Sequence, residues 1–139
     1  LFRSANGIAN CGQDASWYVG GIAGVNYDGT IRNCWAYPSQ LTGYDYVGGI
    51  TGCNYGGRVQ NSWGRASMTY GANGGRRVGY AIGSNEAGGT VSNVYYMGNQ
   101  VAGAGTRVSD LTNGTALTGF DTFIWNFTSG SYPTLVNNP

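Results

Sequence analysis

The chain has neither histidine nor lysine among its 139 residues, and its charge is sparse and balanced, seven arginines against six acids for a net +1. Without histidine, a serine or cysteine nucleophile lacks its usual base and zinc lacks its usual nitrogen ligand. Without a basic stripe there is no track for a phosphate backbone. Only Arg76 and Arg77 adjoin, so nucleic acid is excluded as a partner. No apolar run approaches the ~18 residues of a spanning helix, so no membrane insertion is expected, and no secretory leader is legible. The chain opens on Leu1 rather than Met. That makes a processed product or a piece of a longer protein the expectation. The acids Asp14, Asp28, Asp45, Glu86, Asp110 and Asp121 do not recur at a shared repeat position, whereas a glycosidase needs two carboxyls about 5–9.5 Å apart. Neither a catalytic residue, a metal site nor a cofactor is therefore assigned.

What the chain has in excess is glycine, 26 residues, together with 14% aromatics. So much glycine without a period would signal disorder, but here it is periodic. The stretch VGGIAGVNYDGTIRNCW (Val19 to Trp35) returns as VGGITGCNYGGRVQNSW (Val47 to Trp63) and, more loosely, as VGYAIGSNEAGGTVSNVY (Val78 to Tyr95). A shorter phrase, Gly7 to Cys11, matches Thr30 to Cys34. Taking Asn10, Asn33, Asn61 and Asn93 as equivalent gives steps of 23, 28 and 32 residues. A unit of this size cannot close a core alone and must stack on its neighbours. The expected fold is all-β, a short parallel β-solenoid of three to four coils. The coils run over 1–18, 19–46, 47–77 and 78–109 of a single domain, and a cap over 110–139 places Trp125, Phe127, Tyr132 and Leu135 across the last open coil.

Within a unit, a glycine-punctuated strand leads through a turn (Tyr27 to Gly29, Tyr55 to Gly57, Glu86 to Gly89) to a second strand. There the alternation groups Ile31, Asn33 and Trp35 on one constant face, with Val59, Asn61, Trp63 and Val91, Asn93, Tyr95 above them. A buried, unpaired amide costs roughly 1–3 kcal/mol. Asparagine on that face therefore predicts a ladder in which each amide donates to the next coil. The expected columns are Asn10, Asn33, Asn61, Asn93 and Trp35, Trp63, Tyr95, with a second amide column at Asn26, Asn54 and Asn85. Cys11 and Cys34 share one slot of consecutive units, about 4.8 Å apart if stacked in register. That permits a disulfide or, equally, two small buried thiols. Cys53 matches Val25 and Ser84 and reads as an ordinary small position.

These units resemble the GLUG motif repeat, whose glycine, aliphatic, variable, glycine core stands here as Gly21 Ile22 Ala23 Gly24 and Gly49 Ile50 Thr51 Gly52. In the third unit, Tyr80 Ala81 Ile82 Gly83, the aliphatic is displaced by one. The resemblance covers about Gly7 to Met97. It implies a non-catalytic module of large bacterial surface or secreted proteins, of the filamentous haemagglutinin-like adhesin or immunoglobulin A peptidase type.

The expected function is accordingly a non-enzymatic, extracellular or cell-surface structural or adhesive module. Two alternatives stay open, a subunit of a head-to-tail filament and a glycan-binding or carbohydrate-active solenoid. The expected partners are further repeats or other subunits at an uncovered N-terminal strand edge, and glycans at an aromatic surface formed by Trp17, Tyr18, Tyr44, Tyr46 and Tyr70. Asn113 and Asn126 head glycosylation sequons (NGT and NFT).

Overall fold

The computed structural model describes residues 3–5, 8–10, 17–38, 40–65, 68–70, 77–98, 103–114 and 117–137. It is a parallel β-solenoid. The first coil contributes β1 (Arg3–Ala5) and β2 (Ile8–Asn10). The second runs through β3 (Val19–Gly20), β4 (Ala23–Tyr27), β5 (Thr30–Arg32), β6 (Cys34–Ala36) and β7 (Gln40–Gly43). The third repeats it as β8 (Val47–Gly48), β9 (Thr51–Tyr55), β10 (Arg58–Gly64) and β11 (Met68–Tyr70). The fourth holds β12 (Val78–Gly79), β13 (Ile82–Glu86) and β14 (Thr90–Tyr96), followed by β15 (Thr106–Arg107). Like strands stack into four parallel sheets, β1-β6-β10-β14-β15 with β5 also on β10, β2-β7-β11, β3-β8-β12 and β4-β9-β13. A short antiparallel pair, β16 (Trp125–Asn126) with β17 (Thr134–Leu135), ends the chain.

The glycine pairs make the corner between β3 and β4, and between β8 and β9, tight enough for coils to touch backbone to backbone. A Cβ at Gly49 would overlap the Tyr80 carbonyl of the next coil. Hydrogen bonds continue through this corner, Ile22 N to Ile50 O at 2.9 Å and Ile50 N to Ala81 O at 2.8 Å. The third unit is not displaced there. Gly79 pairs with Gly48 and Ile82 with Thr51, so Ala81 replaces Ile50 and Ile82 replaces Thr51. Ile50, Ala81 and Ile82 share one core and Thr51 is fully buried, so a small-for-large exchange at one position is offset at the next. The extra residue of that coil sits in the turn, where Ala87 and Gly88 take positive φ of 52° and 73°.

Two expectations fail on register. Arg3, Ser4 and Ala5 pair with Cys34, Trp35 and Ala36, while Asn10 pairs with Thr42. Asn10 thus belongs to a different sheet and is not a rung below Asn33. The shared slot proposed for Cys11 and Cys34 goes with it, since Arg3 faces Cys34. Cys11 lies outside the described residues, and the Cys34 thiol donates to Arg32 O at 3.1 Å.

The second failure concerns the constant face. Asn33, Asn61 and Asn93 have φ of 51°, 47° and 52°, the left-handed conformation that asparagine tolerates better than most residues. One such residue turns the chain and resets the alternation. Ile31 and Val59 point inward, and so do Cys34, Ser62 and Val94 and then Ala36 and Tyr96. Trp35, Trp63 and Tyr95 therefore face away from the solenoid interior. They are covered by the C-terminal segment, which packs Leu111, Leu117, Trp125 and Leu135 against Trp63 and Tyr95 as a second core. The segment runs along the flank of successive coils rather than over the end. Tyr95 OH donates to Thr118 O at 3.0 Å, Trp63 Nε1 to Pro133 O at 2.9 Å, and Tyr132 meets the Tyr37 ring edge-on at 5.3 Å. Gly119 lies so close to the Asn61 and Asn93 amides that a side chain there has no room.

One ion pair ties the end of the second coil to the end of the third. The buried Asp45 carboxylate receives Arg77 N at 3.1 Å, Arg77 Nε at 3.1 Å and Arg77 Nη2, and its other bond comes from Tyr46 N at 2.9 Å. The Arg77 side chain holds the Asp45 carboxyl below the usual carboxylate range.

Two outcomes are expected. Gly49→Ala should cost about 3 kcal/mol by overpacking, whereas Gly88→Ala, whose added Cβ meets nothing within 4 Å, should cost only the left-handed penalty of ~1 kcal/mol; thermal melts of the two variants compare them. Because the folded Asp45 carboxyl titrates below its unfolded value, its stabilisation is complete above about pH 4 and vanishes as pH falls through the folded pKa. Asp45→Asn should remove roughly 1.5 kcal/mol at neutral pH and flatten the acid limb of the stability curve measured by denaturant titration.

Candidate functional site

The amide column that holds best is Asn26, Asn54 and Asn85, at the foot of the turn. Asn26 Nδ2 donates to Asn54 Oδ1 at 2.7 Å, and Asn54 Nδ2 to Asn85 Oδ1 at 2.7 Å. The same Nδ2 atoms reach the turn carbonyls, Gly29 O at 3.2 Å and Gly57 O at 3.0 Å, while Asn85 reaches Gly89 O at 2.7 Å. In the other column one rung forms, Asn93 Nδ2 to Asn61 Oδ1 at 3.0 Å, and Asn33 Oδ1 is buried without a partner. The first column is spent on holding coils together, and the unpartnered Asn33 oxygen of the second is buried rather than presented at a surface.

In the expected aromatic column Trp35 and Trp63 stack at 5.4 Å and 7° inside the flank core. The expected aromatic surface is partly used for structure as well. Trp17 and Tyr44 meet at 5.2 Å, with Trp17 49% exposed. Tyr70 lies in β11 opposite Gly43. Tyr46, expected on the surface, is buried. Its ring lies between Tyr18, 4.6 Å away, and the Arg77 guanidinium, 3.8 Å away, and burial pushes its hydroxyl pKa up. The register explains this, since Val19, Val47 and Val78 stack and thereby align the preceding Tyr18, Tyr46 and Arg77. Asn113 and Asn126 are both exposed.

A groove that the sequence did not suggest opens beside these rings. On the outer face of β4, β9 and β13, Val25 pairs with Cys53 and Cys53 with Ser84, and Tyr27 pairs with Tyr55 and Tyr55 with Glu86. Tyr27 and Tyr55 stack at 5.3 Å and 7° and are 69% and 41% exposed. Between this column and Tyr18 lies a groove of about 290 Å³ floored by Val25 and Cys53 and ended by Glu86. Ser84 Oγ donates to Glu86 Oε1 at 2.8 Å. Burial, and after it the Glu86 charge, raises the Cys53 thiol pKa and keeps it protonated. The signal for the groove was the tyrosine shared by both turns, legible only once the turn column is known to face outward. A larger cavity of about 540 Å³ sits inside the C-terminal segment between Asn113, Phe120 and Phe127, but none of the described residues lining it is charged. Among the described residues there is no cluster of three or more metal-ligating side chains. The groove beside Glu86 is therefore the candidate site.

Comparison with known proteins agrees with the repeat. The family model described as the GLUG motif matches residues 15–36, which take in β3, β4, β5 and β6 of the second coil. Neither a curated protein sequence nor a solved structure matches the chain. The coils described above stack further copies of the matched segment, and the motif is one that recurs in extracellular and surface proteins. What the comparison shows is one segment of this chain, residues 15–36, that is similar to the GLUG motif.

Proposed function

We propose that the chain is a non-enzymatic module of a secreted or surface-exposed protein, holding coils rigidly in line and presenting the Tyr18, Tyr27 and Tyr55 face as a contact surface. One observation carries this reading. The residues that recur from coil to coil, the asparagines, corner glycines and flank aromatics, make contacts to the next coil or to the flanking segment, while Tyr27 and Tyr55 stack on each other and Tyr18 on Tyr46, with the rings of Tyr18, Tyr27 and Tyr55 still largely exposed. An adhesive module of the filamentous haemagglutinin-like or immunoglobulin A peptidase type would use such a face, with the stacked coils as its stalk. A second reading, a subunit that docks head to tail, is favoured by the sheet β4-β9-β13. Among the described residues, β4 is paired on one side only and β13 has only the Ile82 to Ala104 bridge on its free side, so both ends offer strand edges.

Antibody labelling of intact cells expressing the natural protein tests the first reading. Label on unpermeabilised cells is expected, and label only after permeabilisation would overturn it. Sedimentation velocity of the purified chain separates the stalk from the fibre. A concentration-independent monomer is expected for the stalk, and species that grow with concentration would establish the fibre.

A further inference from the structure

The groove carries a chemistry that the stacking of coils does not use. Its walls are tyrosine rings, Tyr18 on one side and Tyr27 with Tyr55 on the other, its floor is the Val25 side chain and the Cys53 thiol, and its one charged lining residue is Glu86. Tyr18 and Tyr27 each stack on a ring of the next coil and are otherwise open, 48% and 69% exposed.

The charge balance points to the sign of an occupant. Among the described residues Arg77 is the cation that approaches the groove, but its guanidinium is bound to Asp45 and covers Tyr46. Glu86 is left with hydroxyl partners, Ser84 and Tyr46. Among the described residues the single ion pair is Asp45 with Arg77; Arg77 also lies within electrostatic reach of Glu86, and two carboxylates against one guanidinium leave the end of the apolar trough net negative. Ring faces add negative potential. A strongly hydrated ammonium would lose its water on the Val25 floor without replacement. A cation with an alkyl skin loses little and gains both the rings and the carboxylate. A neutral sugar fits less well, because the floor offers it no donor or acceptor beyond a weak thiol.

We propose that this groove binds a quaternary ammonium group of the choline type, its methyl groups against Tyr18, Tyr27 and Tyr55 and its charge beside Glu86. The proposal rests on the tyrosine face being the contact surface. It is tested on purified protein, so its failure leaves the outcome of the cell-surface labelling untouched.

The test is a two-dimensional amide NMR titration of the full chain with choline chloride and, in parallel, with 3,3-dimethylbutan-1-ol, the uncharged isostere. Choline is expected to shift the amides of Tyr27, Cys53 and Tyr55 saturably, and the alcohol to bind at least about tenfold more weakly. Glu86→Gln and Tyr27→Leu should each weaken choline about tenfold. Glu86 also holds Tyr46 and Ser84, so its variant could unfold the corner; Tyr27 is exposed, and Tyr27→Leu keeps the test valid in that event. Co-sedimentation with phosphatidylcholine vesicles then separates the sources. Pelleting assigns the cation to a lipid headgroup, and choline binding without pelleting assigns it to a soluble or polymer-borne choline. Equal affinity for the alcohol, unchanged choline affinity in Tyr27→Leu, or the absence of a saturable shift would each overturn the proposal.

Discussion

Everything in this molecule depends on coils lying in register, and the side chain that enforces this most directly is the fully buried amide of Asn54. It accepts from Asn26, donates to Asn85 and reaches the Gly57 carbonyl of its own turn. A shift of one residue in either neighbour would leave these polar groups buried and unpaired, at about 1–3 kcal/mol each. The apolar columns could slide with smaller loss, because Val against Val resembles Val against Ile. Burial supplies the attraction between coils and the amides supply the register. The division of labour explains why a glycine-rich chain, which loses much entropy on ordering, settles into one stack.

The same requirement accounts for the corners and the flank. Backbone contact at Gly49 sets the coil spacing, and the aromatic columns adopt it, at 5.3 Å for Tyr27 with Tyr55 and 5.4 Å for Trp35 with Trp63. Turning the chain at Asn33, Asn61 and Asn93 then throws an aromatic column outward. Left bare, it would be an apolar strip running across three coils. The C-terminal segment covers it, with Phe120 on Tyr95 at 5.6 Å and Tyr132 on Trp63 at 5.4 Å. Arg65, whose guanidinium lies over both Tyr37 and Tyr132 at 5.4 and 5.5 Å, closes the far end of this cover. The flank core follows from the left-handed asparagine, since without that residue the indoles would compete for the solenoid interior.

The sequence disclosed the fold class and most of the register, because Val-Gly-Gly and the turn asparagine recur in fixed relation to each other. It misled wherever one residue carried two meanings. Asparagine at 33, 61 and 93 signals both an amide ladder and a left-handed turn, and reading only the first placed Trp35, Trp63 and Tyr95 on the wrong side of the wall. The Gly7 to Cys11 phrase matched Thr30 to Cys34 in letters, but pairing is decided by backbone continuity along a whole coil. That criterion puts Arg3–Ala5 there instead, a segment sharing only the small residue Ala5 with Ala36. Tyr46 looked like a surface aromatic because its partner, Arg77, stands 31 residues away and faces it only across the coil boundary.

The candidate site was the least legible part because no single repeat contains it. Tyr18 comes from the end of the first coil, Tyr27 from the second, Tyr55 from the third and Glu86 from the fourth, and the groove exists only where the tyrosine column gives way to a carboxylate. By position Glu86 is the third member of the tyrosine column. A third tyrosine there would have continued the stack and given a uniform aromatic rib with no charge. A repeat protein gains a distinct site by breaking its own repeat, and Glu86 is where the exposed column does so.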